Sequence, residues 1–202
     1  AAAVDRRTGK SRLEESDRLS LITPLNFNAS IRRYINALYA GCNLHIVPYS
    51  IIKNPLQLRQ YFLDNRITVM CASPSLLRMI QDPGPYVRQI QISSEPANGL
   101  FFEGPELVNA YAMSESGFPL TEFIIDKPYD ECPVGKPNVE QIHVRVVDEE
   151  GNEVPPETPG EITVEDPFFR GYINLQEQTD KVLRDGVYHT GDIGKKLADD
   201  NL

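Results

Sequence analysis

The sequence predicts an α/β fold, in which a mostly parallel sheet with flanking helices is followed by a small antiparallel, β-barrel-like subdomain. Three observations predict this fold. Up to about residue 112, short apolar runs alternate with stretches of helical periodicity, as in βαβ units. Beyond residue 119, apolar and polar residues alternate and turn residues become frequent. Of the 202 residues, 41% are hydrophobic and 24% are charged, which is adequate for a buried core with an ordinary surface.

The first part of the chain is predicted to alternate strands with helices. Predicted strands cover residues 19–23, 44–47, 67–71 and 87–92, and predicted helices cover residues 29–40, 55–65 and 75–80. Gly41 ends the first helix, Pro55 begins the second, and Pro74 precedes the third. In such a fold the functional loops follow the carboxyl ends of the strands.

The second part is predicted to be antiparallel. Residues 141–147 alternate, residues 148–152 carry a hairpin turn signal, and residues 161–164 form the next strand. The predicted division is a polar N-terminal segment at residues 1–16, an α/β subdomain at residues 17–120, and a β-rich subdomain at residues 121–202.

Charge and cysteine content exclude several classes of function. The formal net charge of −9 argues against a nucleic-acid partner, because phosphate contacts need a basic face. Cys42, Cys71 and Cys132 are odd in number and lack CxxC spacing, which supports neither a metal centre nor a disulfide framework. We therefore expect a reducing, cytoplasmic compartment. No apolar run resembles a signal peptide or reaches membrane-spanning length, so no membrane association is expected.

Two short runs carry candidate chemistry. In the run from Asn109 to Glu115, a strand exits into a loop that offers the ring of Tyr111, the hydroxyl of Ser114 and the carboxylate of Glu115. These groups can stack on a purine, bond a phosphate oxygen and hold Mg²⁺. In the second run, Tyr188-His-Thr-Gly-Asp192, glycine permits a sharp turn that presents the aspartate. The plainer interpretations are a capped helix start for the first run and an ordinary β-turn for the second.

The order of motifs resembles one superfamily, the adenylate-forming ligases, which include acyl-CoA synthetases and adenylation domains of nonribosomal peptide synthetases. Between the two runs come Val134-Gly-Lys-Pro137, Glu161-Ile-Thr-Val164, Arg170-Gly-Tyr172 and Asp185-Gly186, in the family's order. The resemblance implies that ATP and Mg²⁺ are used. By this resemblance Tyr111 stacks on adenine near Asn109, Ala110 and Glu95, Ser114 contacts the α-phosphate, Glu115 binds Mg²⁺, and Asp192 accepts hydrogen bonds from both ribose hydroxyls. The chain departs from the family at Ala112, usually glycine, and at Ser93-Ser94, usually two glycines.

The same resemblance implies a pocket for the acid substrate. Phe27-Asn28-Ala29-Ser30 is similar to a segment of amino-acid-activating domains in which an aspartate holds the substrate's α-ammonium. Asn28 occupies that position here and cannot neutralise an ammonium, so the carboxylic acid is not expected to be a standard α-amino acid. The other implied pocket residues are Arg32, Cys71, Ile92, Ser94, Ala110 and Phe118; Arg32 could instead point to solvent.

The activity implied by the resemblance is formation of an acyl-AMP, followed by transfer of the acyl group to a thiol. The acceptor would be the phosphopantetheine of a carrier protein or CoA. The family's Ser/Thr/Gly-rich lysine loop and its C-terminal lysine have no counterpart in these 202 residues, so we expect the central part of an enzyme, inactive alone. The alternative is a non-catalytic interaction module that retains relic nucleotide motifs.

Overall fold

The structure is a computed structural model that describes residues 4–5, 10–11, 13–137 and 141–202. The remainder of the predicted polar segment, and residues 138–140, lie outside the described residues. The strands are β1 (Val4–Asp5), β2 (Lys10–Ser11), β3 (Arg18–Leu21), β4 (Asn43–Ile46), β5 (Val69–Ala72), β6 (Gln89–Ile92), β7 (Glu106–Ala112), β8 (Pro119–Ile125), β9 (Lys136–Pro137), β10 (His143–Val147), β11 (Gly160–Glu165), β12 (Leu183–Arg184) and β13 (Val187–Gly194). The helices are α1 (Asn28–Ala40), α2 (Tyr49–Ile52), α3 (Pro55–Asp64), α4 (Pro74–Ile80) and α5 (Gln176–Val182).

The strands form two main sheets and one short ribbon. The larger sheet has seven strands in the order β4-β3-β5-β6-β7-β8-β9, and its pairs from β4 through β7 are parallel. The smaller sheet is antiparallel, in the order β10-β11-β13-β12. Strands β1 and β2 pair with each other. The predicted fold class is therefore confirmed.

The chain packs as two compact units that interleave along the sequence. The first unit comprises Ala1–Ala110 and Ile124–Cys132, and the second comprises Tyr111–Phe123 and Pro133–Leu202. The predicted subdomains, residues 17–120 and 121–202, are each a single continuous segment, unlike these units. That division stays a prediction. Among the described residues, no helix has the length and apolar character that a membrane crossing requires.

Helix α1 lies on the parallel sheet of the first unit through a narrow inner face. Ala37 packs into a core cluster with Leu13, Leu19 and Val69. Gly41 ends the helix with a φ of 70°, a left-handed conformation that suits glycine. The helix also has an apolar stripe on its outer side, and that stripe is solvent-exposed: its members are Ile31, Tyr34, Ile35, Leu38 and Tyr39, each at least 50% exposed.

The crossover between β6 and β7 is unusual for a parallel pair. These strands pair in parallel, with Gln89 beside Glu106 and Ile92 beside Asn109. The connection at residues 93–105 contains no helix. About a dozen residues suffice for such a crossover, so this loop connects the two strands without a helix.

A buried apolar cluster forms a core of the second unit. Its members are Leu120 on β8, Ile142 just before β10, Val164 on β11 and Tyr188 on β13. At Gly135, the φ is 91° and a Cβ atom would lie 1.9 Å from the carbonyl oxygen of Glu122. A residue with a side chain cannot occupy that position, which explains the glycine of the Val134–Pro137 motif.

Candidate active site

Tyr111 and Asp192, which are 81 positions apart in sequence, meet in the second unit. The Tyr111 hydroxyl donates a hydrogen bond of 2.6 Å to Oδ2 of Asp192. Tyr111 lies at the end of β7 and Asp192 in the middle of β13. Burial and this hydrogen bond both raise the pKa of Tyr111, so the phenol keeps its proton at neutral pH and remains a donor.

The loop after β7 is held in shape by a buried serine. The Ser116 hydroxyl lies 3.1 Å from the carbonyl oxygen of Met113 and 2.7 Å from that of Phe118. Gly117 adopts a φ of 68°, so the chain turns here instead of starting the helix that the plainer interpretation expected. Within this turn Ser114 is exposed and Glu115 is half-buried.

The carboxylate of Glu115 is held by Tyr172, whose hydroxyl lies beside that of Tyr188; the sequence interpretation selected neither tyrosine as a site residue. The hydroxyl of Tyr172 donates to Oε1 of Glu115 at 2.7 Å and lies 3.3 Å from the hydroxyl of Tyr188. The contacts with Tyr188 and Glu115 raise the pKa of Tyr172. Tyr172 is therefore a neutral donor that orients one oxygen of Glu115.

Tyr172 is itself held by its own segment. Its backbone N–H donates to Oγ1 of Thr179 at 2.8 Å, and the ring of Phe169 packs edge-on against it with centroids 5.4 Å apart. At Gly171, whose φ is 112°, a Cβ atom would lie 2.6 Å from the Thr179 side chain. The Arg-Gly-Tyr motif and Thr179 thus serve the same purpose, which is to position the Tyr172 hydroxyl.

A bulge in the antiparallel sheet presents Asp192. Glu161 on β11 pairs with Ile193, yet Thr163 pairs with His189, so residues 190–192 all lie opposite Ile162. The extra residues leave Gly191 and Asp192 exposed, with Gly191 at a φ of 75°. Bulges of this kind are common beside active sites because they redirect a side chain.

Hydrogen bonds from Glu161 and Thr190 fix the bulge. Oε1 of Glu161 accepts from the Gly191 amide at 3.0 Å, and Oε2 lies 2.8 Å from Nδ1 of His189. The Thr190 hydroxyl donates to the Ile162 carbonyl at 2.7 Å and accepts from the Asp192 amide at 3.0 Å. Burial of Glu161 would raise its pKa, but the bonds from His189 and Gly191 outweigh that effect and lower it. Glu161 belongs to the Glu161–Val164 motif of the sequence analysis. Its role in fixing the bulge depends on the pairing of β11 with β13, which the sequence does not show.

Glu115 fits a magnesium ion that arrives with a nucleotide. Among residues 13–137 and 141–202, no cluster of three or more His, Cys, Asp or Glu side chains could hold a metal by itself. Mg²⁺ in nucleotide enzymes is usually bound by one or two carboxylates together with substrate phosphates. A single carboxylate with one oxygen already oriented by Tyr172 satisfies that requirement.

The residues implied for the acid pocket begin at the amino end of α1, in the first unit. Asn28 and Ala29 are half-buried in its first turn, and Arg32 is half-exposed one turn later. Ser30 is fully buried and anchors this turn, because its hydroxyl shares its one hydrogen between the carbonyl oxygens of Thr23 and Pro24, each 2.8 Å away.

Strand register separates two of the implied pocket residues. Cys71 on β5 lies beside Gln91 on β6, whereas Ile92 lies beside Ala72. Adjacent residues in parallel strands share a face and successive residues alternate, so Cys71 and Ile92 point to opposite faces of the sheet. Gln91, which the sequence interpretation did not select, is the β6 residue on the face of Cys71. Ala110, two residues beyond the Gln91 partner Val108, shares that face as well.

The segment after β6 contains two more of the implied residues. Ser94 adopts a φ of 76°, which is rare for a residue with a side chain and suits the glycine that the resemblance implies at this position. The carboxylate of Glu95 accepts hydrogen bonds from both the amide and the hydroxyl of Ser75, in the first turn of α4. That carboxylate therefore has a structural partner, and its role near the adenine stays a prediction.

Two of the implied residues are buried and a third is half-buried. Asn109 and Ala110 lie on β7 with 1% and 4% of their surface exposed, and Nδ2 of Asn109 donates to the Cys132 sulfur at 3.7 Å. Phe118, half-buried, packs against the core cluster of the second unit and meets Phe168 edge-on at 6.1 Å.

Sequence comparison finds relatives among large synthases. Tyrocidine synthase 1 of Brevibacillus parabrevis is 26% identical over 206 residues, which cover 93% of this chain and 19% of that protein. Bacitracin synthase 1 of Bacillus licheniformis is 24% identical over 93% of this chain and 4% of its own length. A D-alanine–D-alanyl carrier protein ligase of Streptococcus pyogenes is 26% identical over 89% of this chain and 39% of its own length. The chain thus spans well under half of the length of these relatives.

Solved structures share the fold. The nonribosomal peptide synthetase FmoA3 superposes with a TM-score of 0.85 and 23% identity over 98% of this chain and 24% of its own. The structure of CmiS6 superposes with a TM-score of 0.80 and 23% identity over 94% of this chain and 52% of its own. The profile of the family described as AMP-binding enzyme matches residues 1–173. This chain therefore belongs to the AMP-binding enzyme family, as its motif order predicts.

Proposed function

We propose that this chain is the central part of an enzyme that activates a carboxylic acid with ATP, forming an acyl-AMP and releasing pyrophosphate. The observation that carries the proposal is the 2.6 Å hydrogen bond between the Tyr111 hydroxyl and the Asp192 carboxylate. It joins the residue implied for adenine to the residue implied for ribose.

Each nucleotide contact follows from the chemistry of one side chain. The ring of Tyr111 offers a face on which adenine stacks. Asp192 accepts hydrogen bonds from the ribose hydroxyls, and its exposed position on the bulge leaves it accessible. The exposed hydroxyl of Ser114 donates to the α-phosphate. Because charge accumulates on the phosphates as pyrophosphate leaves, fixed donors and a cation lower the barrier.

Glu115 is the residue that would hold Mg²⁺ in this reaction. The bound ion would neutralise charge on the phosphates. Tyr172 keeps the Glu115 carboxylate oriented before the nucleotide arrives, so that little reorganisation is needed.

The second half-reaction is transfer of the acyl group to a thiol. A relative named for a D-alanyl carrier protein and a structural neighbour that is a nonribosomal peptide synthetase support a carrier phosphopantetheine as the acceptor, with CoA as the other candidate. The 202-residue chain by itself should bind the nucleotide without turnover, because the family's phosphate loop and C-terminal lysine have no counterpart in it. The acid is proposed to lack an α-ammonium, since Asn28 cannot neutralise one.

Calorimetric titration of the chain with AMP tests the nucleotide site. Wild-type chain should bind, and Asp192→Asn should weaken binding about thirtyfold, because a hydrogen bond to a charged group contributes about 2 kcal/mol. Asp185→Asn is the matched control, since Asp185 is an exposed acid at the turn between β12 and β13. Equal affinities for the Asp192 and Asp185 variants would refute the proposal.

The interaction-module alternative predicts the opposite pattern. If the nucleotide motifs are relics, the wild-type chain should bind neither AMP nor a nonhydrolysable acyl-AMP mimic. The bulge that exposes Asp192, fixed by four hydrogen bonds, favours the nucleotide function.

A further inference from the structure

The inner face of α1 contains a buried positive charge. Ser30, Arg33 and Ala37 are the buried residues of this helix, and Arg33 has only 6% of its surface exposed. Its neighbour Arg32 is half-exposed. Arginine is almost never buried to this extent without an anionic partner.

Among the described residues, Arg33 has a neutral partner and no carboxylate. Its Nη2 donates to Oε1 of Gln91 on β6 at 3.0 Å. Its Nε is buried, and no acceptor among the described residues bonds it. A guanidinium has five N–H donors and stays protonated at any pH at which a protein folds, so one amide oxygen leaves most of its bonding capacity unused.

Burying such a group is costly unless an anion compensates for the lost hydration. Two carboxylate oxygens match the forked N–H groups of arginine, which makes a carboxylate the best compensating group. The buried Arg33 guanidinium therefore indicates that a negatively charged group binds to it.

The guanidinium lies among the residues implied for the acid substrate. Ala29 is one helical turn before Arg33, so the two share a face of α1. Gln91, which holds the guanidinium, lies beside Cys71 on β5. Ala29, Cys71 and Gln91 are only half-buried, so the surface around Arg33 is not fully covered.

We propose that Arg33 is the counter-ion for a second acidic group on the substrate, so that this chain recognises a dicarboxylic acid or an acid of equivalent charge. This inference rests on the proposed function, because it takes the surroundings of Ala29 and Cys71 as the acid site. One carboxylate of the substrate would react with ATP, and the other would pair with Arg33. Asn28 is consistent with this assignment, since a diacid without an α-ammonium needs no aspartate there.

An NMR titration of the ¹⁵N-labelled chain tests the inference, with the Arg33 Nε–H as the reporter of the guanidinium. The probes are succinate, glutarate and adipate, each compared with its own monoamide, which has the same shape and one charge fewer. At least one diacid should shift the Arg33 Nε–H signal saturably and bind at least tenfold more tightly than its monoamide. The signal is assigned by its loss in Arg33→Gln.

Two variants separate a specific site from general attraction of anions. Arg33→Gln keeps a side chain able to bond Gln91 and should abolish the preference for the diacid over the monoamide. Arg59→Gln is the control, because Arg59 is an arginine on α3 that pairs with exposed Asp82; it should leave the preference unchanged. Equal binding of diacids and monoamides by the wild type, or an equal loss in both variants, would overturn the inference.

The same sample distinguishes failure of this inference from failure of the proposed function. AMP should shift the Gly191 amide, beside Asp192, whether or not a diacid binds. If AMP binds and no diacid moves the Arg33 signal in its presence or absence, the substrate assignment is wrong and the nucleotide function survives.

Discussion

Asp17 in the first unit and Asp192 in the second unit have contrasting environments. They differ in how much of the carboxylate is available to bind a ligand. Asp17, in the first unit, is 2% exposed and accepts from the Glu14 amide, the Thr68 hydroxyl, and both Nε and Nη2 of Arg88. Asp192, in the second unit, is exposed and accepts from the Tyr111 hydroxyl. One carboxylate is saturated by the protein and the other is oriented but open.

This difference indicates how a carboxylate that stabilises the fold can be distinguished from one that binds a ligand. Asp17 and Arg88 precede β3 and β6, so they join two parallel strands at their amino ends. In open α/β sheets the ligands bind at the carboxyl ends, which leaves the amino ends for stability. A saturated carboxylate contributes to folding, whereas a carboxylate that a bulge holds outward contributes to binding.

The largest effect should come from removing the saturated carboxylate. Asp17→Asn should lower the free energy of unfolding by about 3 kcal/mol, because it leaves Arg88 without its charge partner and places an amide among donors. Asp192→Asn should change that free energy by no more than about 0.5 kcal/mol, as expected for an exposed residue. Urea unfolding followed by circular dichroism measures both. Similar losses of unfolding free energy in the two variants would contradict the distinction between a structural and a ligand-binding carboxylate.

Acid should reveal the same difference through pH. The bonds from Arg88, Glu14 and Thr68 lower the pKa of Asp17 despite its burial, below its unfolded value of about 3.9. The stability that Asp17 contributes is therefore fully present above about pH 4 and is lost as the pH falls through the lowered pKa. The gap in unfolding free energy between wild type and Asp17→Asn should be constant from pH 5 to 7 and shrink below pH 4. A gap that widens on acidification would contradict this sign.

The open carboxylate should depend on the residue that fixes its turn. Glu161→Gln removes the charge that holds Gly191 and His189, so the bulge should present Asp192 less well and AMP affinity should fall about tenfold, or about 1.4 kcal/mol. The discrimination between AMP and 2′-deoxy-AMP should fall with it, since only the ribose contact is disturbed.

Glu165→Gln is the matched control for Glu161→Gln. Glu165 lies on the same strand and pairs with Arg145, away from the bulge. In an Asp192→Asn background, Glu161→Gln should have no further effect on AMP affinity. A full additional loss in that background would show that Glu161 acts on the nucleotide by another route.

Local signals predicted the element boundaries well. The first helix ends at Ala40 with Gly41 in the left-handed conformation, and α3 begins at Pro55, as predicted. Helix α4 begins at Pro74, one residue before its predicted start, and the short helix α2 was not predicted. The apolar stripe of α1 shows the limit of periodicity: the spacing of Ile31, Ile35 and Leu38 predicts a helix but cannot specify what covers that face.

The contacts that fix the site could not be predicted from sequence spacing. Tyr172 reaches Glu115 across 57 positions, and Glu161 reaches His189 across 28. Each contact depends on strand pairing and on an irregular register, and no local propensity encodes these. Likewise, choosing between Gln91 and Ile92 required the register of β5 with β6, because a shift of one residue reverses the face.

The smallest effect, and an increase in stability, is expected at the loop after β6. Ser94 has a φ of 76°, which costs a residue with a side chain about 1 kcal/mol relative to glycine. Ser94→Gly should therefore raise the free energy of unfolding by up to about 1 kcal/mol, less the entropy that glycine adds to the unfolded chain. Ser93→Gly, at the preceding residue, gains no such relief and should be neutral or destabilising. Urea midpoints compare the two, and equal midpoints would mean that the backbone at Ser94 is not strained.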